Sequence, residues 1–227
     1  EWVTFIDSDD WVSPIYLEHL ISHVKDNIDL VFSYATVVYV DNRQSQEIYP
    51  SRLISSDDIE LAFIENDFHG HTSPWSKLYR RGLIEKNNLR FSEGMHIGED
   101  ALFLYSYLML CRYIFISCDT DYYYSFDSAD SLTKRVNDLD SELNGYRNII
   151  DVIDHLCETK YIKDPIALSK INWTKGYYAR RVLNAIYHNK DIRRKDRIAT
   201  IKSIDVKPYL EAINIPATKE RILAFLL

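Results

Sequence analysis

The chain opens Glu1-Trp2-Val3-Thr4-Phe5-Ile6-Asp7-Ser8-Asp9-Asp10-Trp11-Val12. An apolar, β-prone run from Val3 to Ile6 ends in three carboxylates, Asp7, Asp9 and Asp10. A strand that carries Asp7 and Asp9 to its C-terminal edge places paired acids where open α/β sheets bind ligands. Two carboxylates held together repel each other, and a hard divalent cation carrying phosphate oxygens relieves that repulsion. The stretch points to a metal–nucleotide site on a strand expected to be buried and central in its sheet. The plainer reading is that Asp10 or Ser13 caps the helix that follows. An EF-hand loop is excluded, because no glycine and no distant Glu complete the pattern.

Composition fits a globular protein. The 227 residues are 46% hydrophobic and 27% charged, which argues against disorder. Seventeen tyrosines predict many half-buried rings with hydroxyls at a cleft. A net charge of −7 lacks the basic footprint of a nucleic-acid binder. It still allows a nucleotide held through a cation. Cys111, Cys118 and Cys157 have no zinc spacing and read as reduced thiols of a cytoplasmic protein. No apolar run is long enough to span a membrane.

Working outward, residues 1–6 read as a strand. Ser13-Pro14 opens a helix with Leu17, Leu20, Ile21 and Val24 on its apolar face. Asp29 to Val40 reads as one long strand, Asp41-Asn42 as a turn, and Gln46 to Tyr49 as a returning strand. A helix over about 57–66 leads into an irregular polar piece, Asn66 to Ser76. Lys77 to Asn87 is a short basic element, and Asp100 to Cys111 a helix buried on more than one side. Tyr113 to Ser117 and Tyr122 to Phe126 are strands. Beyond Asp138 the pattern is helical, over about 138–157, 165–188, 191–204 and 216–226. The expected division is therefore 1–137, an α/β catalytic part, and 138–227, a helical C-terminal region.

Four other stretches carry candidate chemistry. Gly98-Glu99-Asp100 sits at a helix N-terminus, where acids complement the dipole or serve as a general base. Trp75-Ser76-Lys77-Leu78-Tyr79 is either a core Trp beside a solvated Lys or an aromatic wall for a sugar ring. His69, His71 and His96 border the expected cleft, as polar surface groups or as metal ligands. Lys190 to Arg197 is a solvated helix face by default and a peripheral contact to anionic lipid in the sharper reading.

Together these stretches resemble the family 2 glycosyltransferases of the GT-A fold, particularly bacterial enzymes that build surface polysaccharides. The resemblance rests on Trp2 to Trp11, Trp75 to Arg81, Arg90-Phe91-Ser92-Glu93-Gly94, Gly98 to Phe103, Tyr123-Tyr124 and Ser131-Leu132-Thr133. It implies a mixed α/β sheet with flanking helices, and a nucleotide-diphosphate sugar donor. The acceptor it implies is a saccharide or lipid-linked hydroxyl. It makes Asp7 and Asp9 the DxD motif holding Mn²⁺ or Mg²⁺, with Asp10, Trp75 and Lys77 completing the donor-binding set. Asp100 becomes the base of an inverting displacement and Glu99 a supporting acid.

Two departures accompany it. Ser125 stands where such enzymes often carry an Arg, with Lys134 or Arg135 as candidate substitutes. The strand–loop–helix half that holds the nucleobase is absent from these 227 residues. The chain is therefore expected to be the C-terminal part of a GT-A domain, inactive alone and weak in donor affinity. Two alternatives stand beside this reading. In a haloacid-dehalogenase-type phosphatase Asp7 would be the nucleophile, but the Trp75 to Tyr79 stretch has no place in it. The other is a non-catalytic, glycan- or protein-binding transferase-like module.

Overall fold

The computed structural model describes residues 1–95, 97–126, 137–189 and 191–208. His96, Ser131 to Thr133, Lys134, Arg135, Lys190 and the helix expected over 216–226 lie outside the described residues.

Nine strands are described: β1 (Trp2–Val3), β2 (Trp11–Val12), β3 (Leu30–Phe32), β4 (Ala35–Tyr39), β5 (Gln44–Gln46), β6 (Arg52–Ser55), β7 (Lys77–Arg80), β8 (Tyr113–Ile116) and β9 (Tyr122–Phe126). They form a five-stranded sheet, β1-β7-β3-β8-β6, and a four-stranded sheet, β2-β9-β4-β5. Both are mixed: β3 runs parallel to β8 and antiparallel to β7, while β4 runs parallel to β9 and antiparallel to β5. The helices are α1 (Tyr16–Ser22), α2 (Glu60–Asn66), α3 (Arg81–Lys86), α4 (Glu99–Leu110), α5 (Leu139–Thr159), α6 (Pro165–His188) and α7 (Arg194–Ser203).

The period-two alternation of the strands divides the core. Leu30 and Phe32 of β3, Tyr79 of β7, and Ile114 and Ile116 of β8 face a large cluster. That cluster continues through α2, α4, α5 and α6 without a break between the α/β part and the helical part. Val31, Leu78 and Tyr122 face the other way, onto Tyr16 and Leu20 of α1. The five-stranded sheet is thus covered by helices on one face and by α1 with the small sheet on the other.

Several expectations are corrected. The opening strand is neither long nor central: β1 pairs only with β7, at the sheet edge, and Ile6 is exposed. The expected strand 29–40 is two strands in two sheets. The chain steps across at Ser33 and Tyr34, whose N–H groups donate to the carbonyls of Ser76 and Asp119. A continuous β-prone run cannot reveal such a step, because local propensity is satisfied on both sides of it. The first helix starts at Tyr16, and Leu17 and Ile21 are exposed. Ser13 does not cap it; its hydroxyl donates to Asp121 at 2.7 Å. Strand β6 has no counterpart in the sequence reading.

The C-terminal helices match their expected spans closely, because their end signals are strong. Asp138 accepts from the Ser141 N–H, and Asp164 accepts from Ile166 and Ala167 with Pro165 in the first turn.

Candidate active site

Phe5 brings the two acidic motifs together. It lies two residues before Asp7 and packs edge-to-face on Phe103, with ring centroids 5.7 Å apart. Phe103 sits in α4 one turn past Asp100. Phe91 and Tyr79 complete the aromatic cluster around Phe5. With these rings locked, Asp7 and Asp100 are close enough that the charge of Asp7 raises the pKa of Asp100.

Asp7, Asp9 and Asp10 form a tight turn, closed by the Asp10 N–H donating to the Asp7 carbonyl at 3.2 Å. One carboxylate oxygen of each lies within 4.8 Å of the others. The three are not equivalent. Both oxygens of Asp10 are taken, by the Tyr122 hydroxyl at 2.6 Å and the Ser125 N–H at 2.7 Å. The same Tyr122 oxygen accepts from the Asp7 N–H at 3.0 Å. Asp10 therefore anchors the turn, and Asp7 and Asp9 are exposed and face outward. Partial burial and then the Asp10 and Asp9 charges raise the pKa of Asp7. Two outward carboxylates are a hard-oxygen donor set that suits Mg²⁺ or Mn²⁺.

Asp100 occupies the first turn of α4, next to Glu99. Burial, then the charges of Glu99 and Asp7, push its carboxyl up to about 7, against a partial offset from Lys77. A carboxylate poised there can take a proton near neutral pH. Gly98 makes the turn possible, with φ of +88°. A Cβ there would sit 2.8 Å from the Tyr178 ring of α6.

Lys77 is completely enclosed, at 1% exposure, so it does not line an open cleft. Its ammonium donates to the Ser73 carbonyl at 2.6 Å and the Trp75 carbonyl at 3.2 Å. It also lies over the Phe32 ring. Burial drives its amine down to about 7 against the pull of Asp100. Trp75 stacks on Tyr122 and Tyr124, at 4.7 and 5.3 Å between centroids. Between Trp75 and Lys77, Ser76 adopts φ of +57°, held by its hydroxyl donating to the Tyr34 carbonyl.

The histidines go elsewhere. His69 and His71 line a groove of about 960 Å³ against α6, together with Asp67, Lys170 and Trp173. Burial lowers both, His71 to about 4, so both are neutral. At the basic run, Arg193 pairs with Asp196, and Arg197 donates to the Ile192 and Asn189 carbonyls. Among the described residues no helix is long and apolar enough to cross a membrane.

Three contributors escaped the sequence reading. Tyr122 is the hub of the acidic turn, yet in sequence it is one of three adjacent tyrosines. Tyr178 arrives from the helical region. Ser76 shows no signal at all, since serine rarely takes positive φ.

The mixed α/β sheets with flanking helices share their fold in part with solved glycosyltransferase structures, and the chain is similar in sequence to proteins named for glycosyl transfer or polysaccharide synthesis. It is 28% identical over 137 residues to the poly(ribitol-phosphate) beta-N-acetylglucosaminyltransferase TarP of Staphylococcus aureus, covering 59% of this chain and 40% of TarP. It is 32% identical over 94 residues to EpsH of Bacillus subtilis, named as a glycosyltransferase, covering 40% and 27%. It is 30% identical over 123 residues to the succinoglycan biosynthesis protein ExoO of Rhizobium meliloti, covering 47% and 32%. The chain thus spans well under half the length of these relatives. Among solved structures, S. aureus TarS 1–349 in complex with UDP-GlcNAc superposes with a TM-score of 0.56 at 16% identity, over 94% of this chain and 55% of that one. Full TarS gives 0.54. No protein-family model matches.

Proposed function

We propose that this chain forms part of an inverting, metal-dependent glycosyltransferase that moves a sugar from a nucleotide-diphosphate donor to a hydroxyl of a cell-surface glycan acceptor. The observation that carries the reading is the placement of Asp100 in the first turn of α4, which packs through Phe103 on Phe5, two residues before the Asp7–Asp9 turn. Asp7 and Asp9 would hold Mn²⁺ or Mg²⁺. A divalent cation held there would supply positive charge against the departing nucleoside diphosphate. Asp100 takes the proton from the acceptor hydroxyl as that oxygen attacks the anomeric carbon, from the face opposite the leaving group. Glu99 supports it by raising its basicity. Asp10 and Tyr122 keep Asp7 and Asp9 in register, and Trp75 with Tyr124 forms an aromatic side to the cleft. UDP-sugars are the first donors to test, because the TarS neighbour was solved with UDP-GlcNAc. The relatives lend no support to a phosphatase. At the basic end of α7, Arg194 and Lys195 remain exposed for a peripheral contact with anionic lipid.

The test is a nucleotide-release assay on the protein containing this chain, with Mn²⁺ and a panel of UDP-sugars. Asp100→Asn should lower transfer by roughly 10²–10⁴-fold, the usual worth of a general base, while leaving UDP binding intact. Full transfer activity in that variant would remove Asp100 from the base role.

A further inference from the structure

A second group of metal-ligand side chains lies just before β9, on the β8–β9 connection. His19 and His23 are four residues apart on α1 and its C-terminal cap, so they share one helix face. That face meets Asp119 and Asp121 on the β8–β9 connection. His19 Nδ1 lies 2.6 Å from Asp121 Oδ2 and 3.8 Å from Asp119 Oδ1. The three donor atoms fall within 4.8 Å of one another.

The remaining oxygens are held from behind. The Ser13 hydroxyl donates to Asp121 Oδ1 at 2.7 Å. The Ser117 hydroxyl donates to Asp119 Oδ2 at 2.5 Å, and His23 Nε2 meets that same oxygen at 3.0 Å. The His23 ring is itself pinned by stacking on Phe115, 4.4 Å between centroids. Each carboxylate thus has one oxygen fixed by a supporting group and the other turned toward His19. Supporting hydrogen bonds of this kind orient the ligands in metal sites.

From these contacts we infer that His19, Asp119 and Asp121 form a site for a divalent transition ion, Zn²⁺ by its ligand chemistry, distinct from the Asp7–Asp9 turn. Zinc takes one imidazole nitrogen and carboxylate oxygens at about 2.0–2.2 Å, which sets donor separations of about 3.3 Å in a tetrahedron. At 2.6 Å His19 Nδ1 and Asp121 Oδ2 share a hydrogen bond; the ion takes the place of that proton, and the 2.6 and 3.8 Å separations bracket the zinc spacing. His23 and the two serines stay outside the ion, and a fourth position opens to solvent beside the half-exposed His19. The site is separate from the front one: Trp11 pairs with Tyr123 and Val12 with Tyr122, so Asp10 falls opposite Tyr124, three residues or about 10 Å of strand from Asp121. An ion here would tie α1 to the start of β9, the strand whose Tyr122 and Ser125 hold Asp10.

The experiment uses the chain carrying Asp7→Asn and Asp9→Asn, which removes the outward front carboxylates. Zn²⁺ titrated into it by calorimetry should bind with one-to-one stoichiometry. Adding His19→Ala, or separately the shape-conserving Asp121→Asn, should weaken that binding at least about tenfold, given that even supporting groups cost 10–100-fold. Circular dichroism checks that each variant stays folded. As a measurement needing neither substitution, the ¹⁵N resonances of the His19 ring should shift on Zn²⁺ addition. No saturable binding in the double variant, binding that survives both added substitutions, or a His19 ring untouched by Zn²⁺ would overturn the site.

Discussion

Asp100 and Lys77 are opposite charges pulled toward neutrality by burial, and each can be read through pH. The folded Asp100 binds its proton more tightly than the ordinary carboxyl at 3.8. Between about pH 4 and 7 the folded state therefore holds the extra proton, and stability falls by up to roughly 1.4 kcal/mol per pH unit. Asp100→Asn, which cannot ionise, should gain stability over the parent as pH rises through that window and show no advantage below pH 4. Urea denaturation at pH 4 and pH 8 measures this, and an equal difference at both would deny that burial raises the carboxyl. The charge on Lys77 works the other way, partly lowering Asp100. Lys77→Met should move the acid limb of the pH–rate profile to higher pH. An unmoved midpoint would uncouple the pair.

At the scale of elements, α4 and the α5–α6 hairpin hold the site in place. Gly98 lets α4 begin under Tyr178, in a conformation that costs an L-residue about 1–2 kcal/mol before any clash. Gly98→Ala should lower the melting temperature and transfer activity together, since Asp100 rides on the displaced turn. Retention of both would mean that Tyr178 gives way freely. Between α5 and α6, Arg181 donates through Nε and Nη2 to Glu142 at 2.9 and 2.6 Å, with both side chains buried. Removing Glu142 takes the bidentate carboxylate partner from the buried Arg181 guanidinium. Glu142→Ala should cost about 3–5 kcal/mol in denaturant unfolding, and a loss below about 1 kcal/mol would place the pair in solvent-like surroundings.

For the whole molecule, the large core runs from Phe32 and Ile114 of the sheet through Tyr105 and Leu108 of α4 to Ile153 and Val182 of the last long helices. The division near residue 137 marks a change of sequence pattern, while the apolar packing is continuous across it. Sheet and helices should therefore unfold in one transition, with far-ultraviolet dichroism and tyrosine fluorescence coinciding along a urea curve. Two separated transitions would make the helical region an independent unit.

Much of this was legible in the residues. The carboxylates Asp7, Asp9 and Asp10 were legible as a group from their spacing, while the strand expected to carry them stops at Val3. The spans of α4, α5 and α6 were readable because glycine, aspartate and proline at their starts act locally, through backbone geometry and capping hydrogen bonds. Other features depend on partners distant in sequence. Asp10 cannot be told from Asp9 by type or spacing; the Tyr122 hydroxyl and the Ser125 N–H make it an anchor. Lys77 looked solvent-facing until Ser73, Trp75 and Phe32 enclosed it. The step from β3 to β4 exists because Ser76 accepts from the Ser33 N–H and Asp119 from the Tyr34 N–H. His19, His23, Asp119 and Asp121 lie roughly a hundred residues apart as pairs and carried no local signal. By itself the sequence determined the helices, through short-range propensity and capping, and marked out the acidic stretches, through charge. The tertiary structure decided which acid faces outward, which is tied down and which is poised near neutral pH, because burial and long-range hydrogen bonding set those properties.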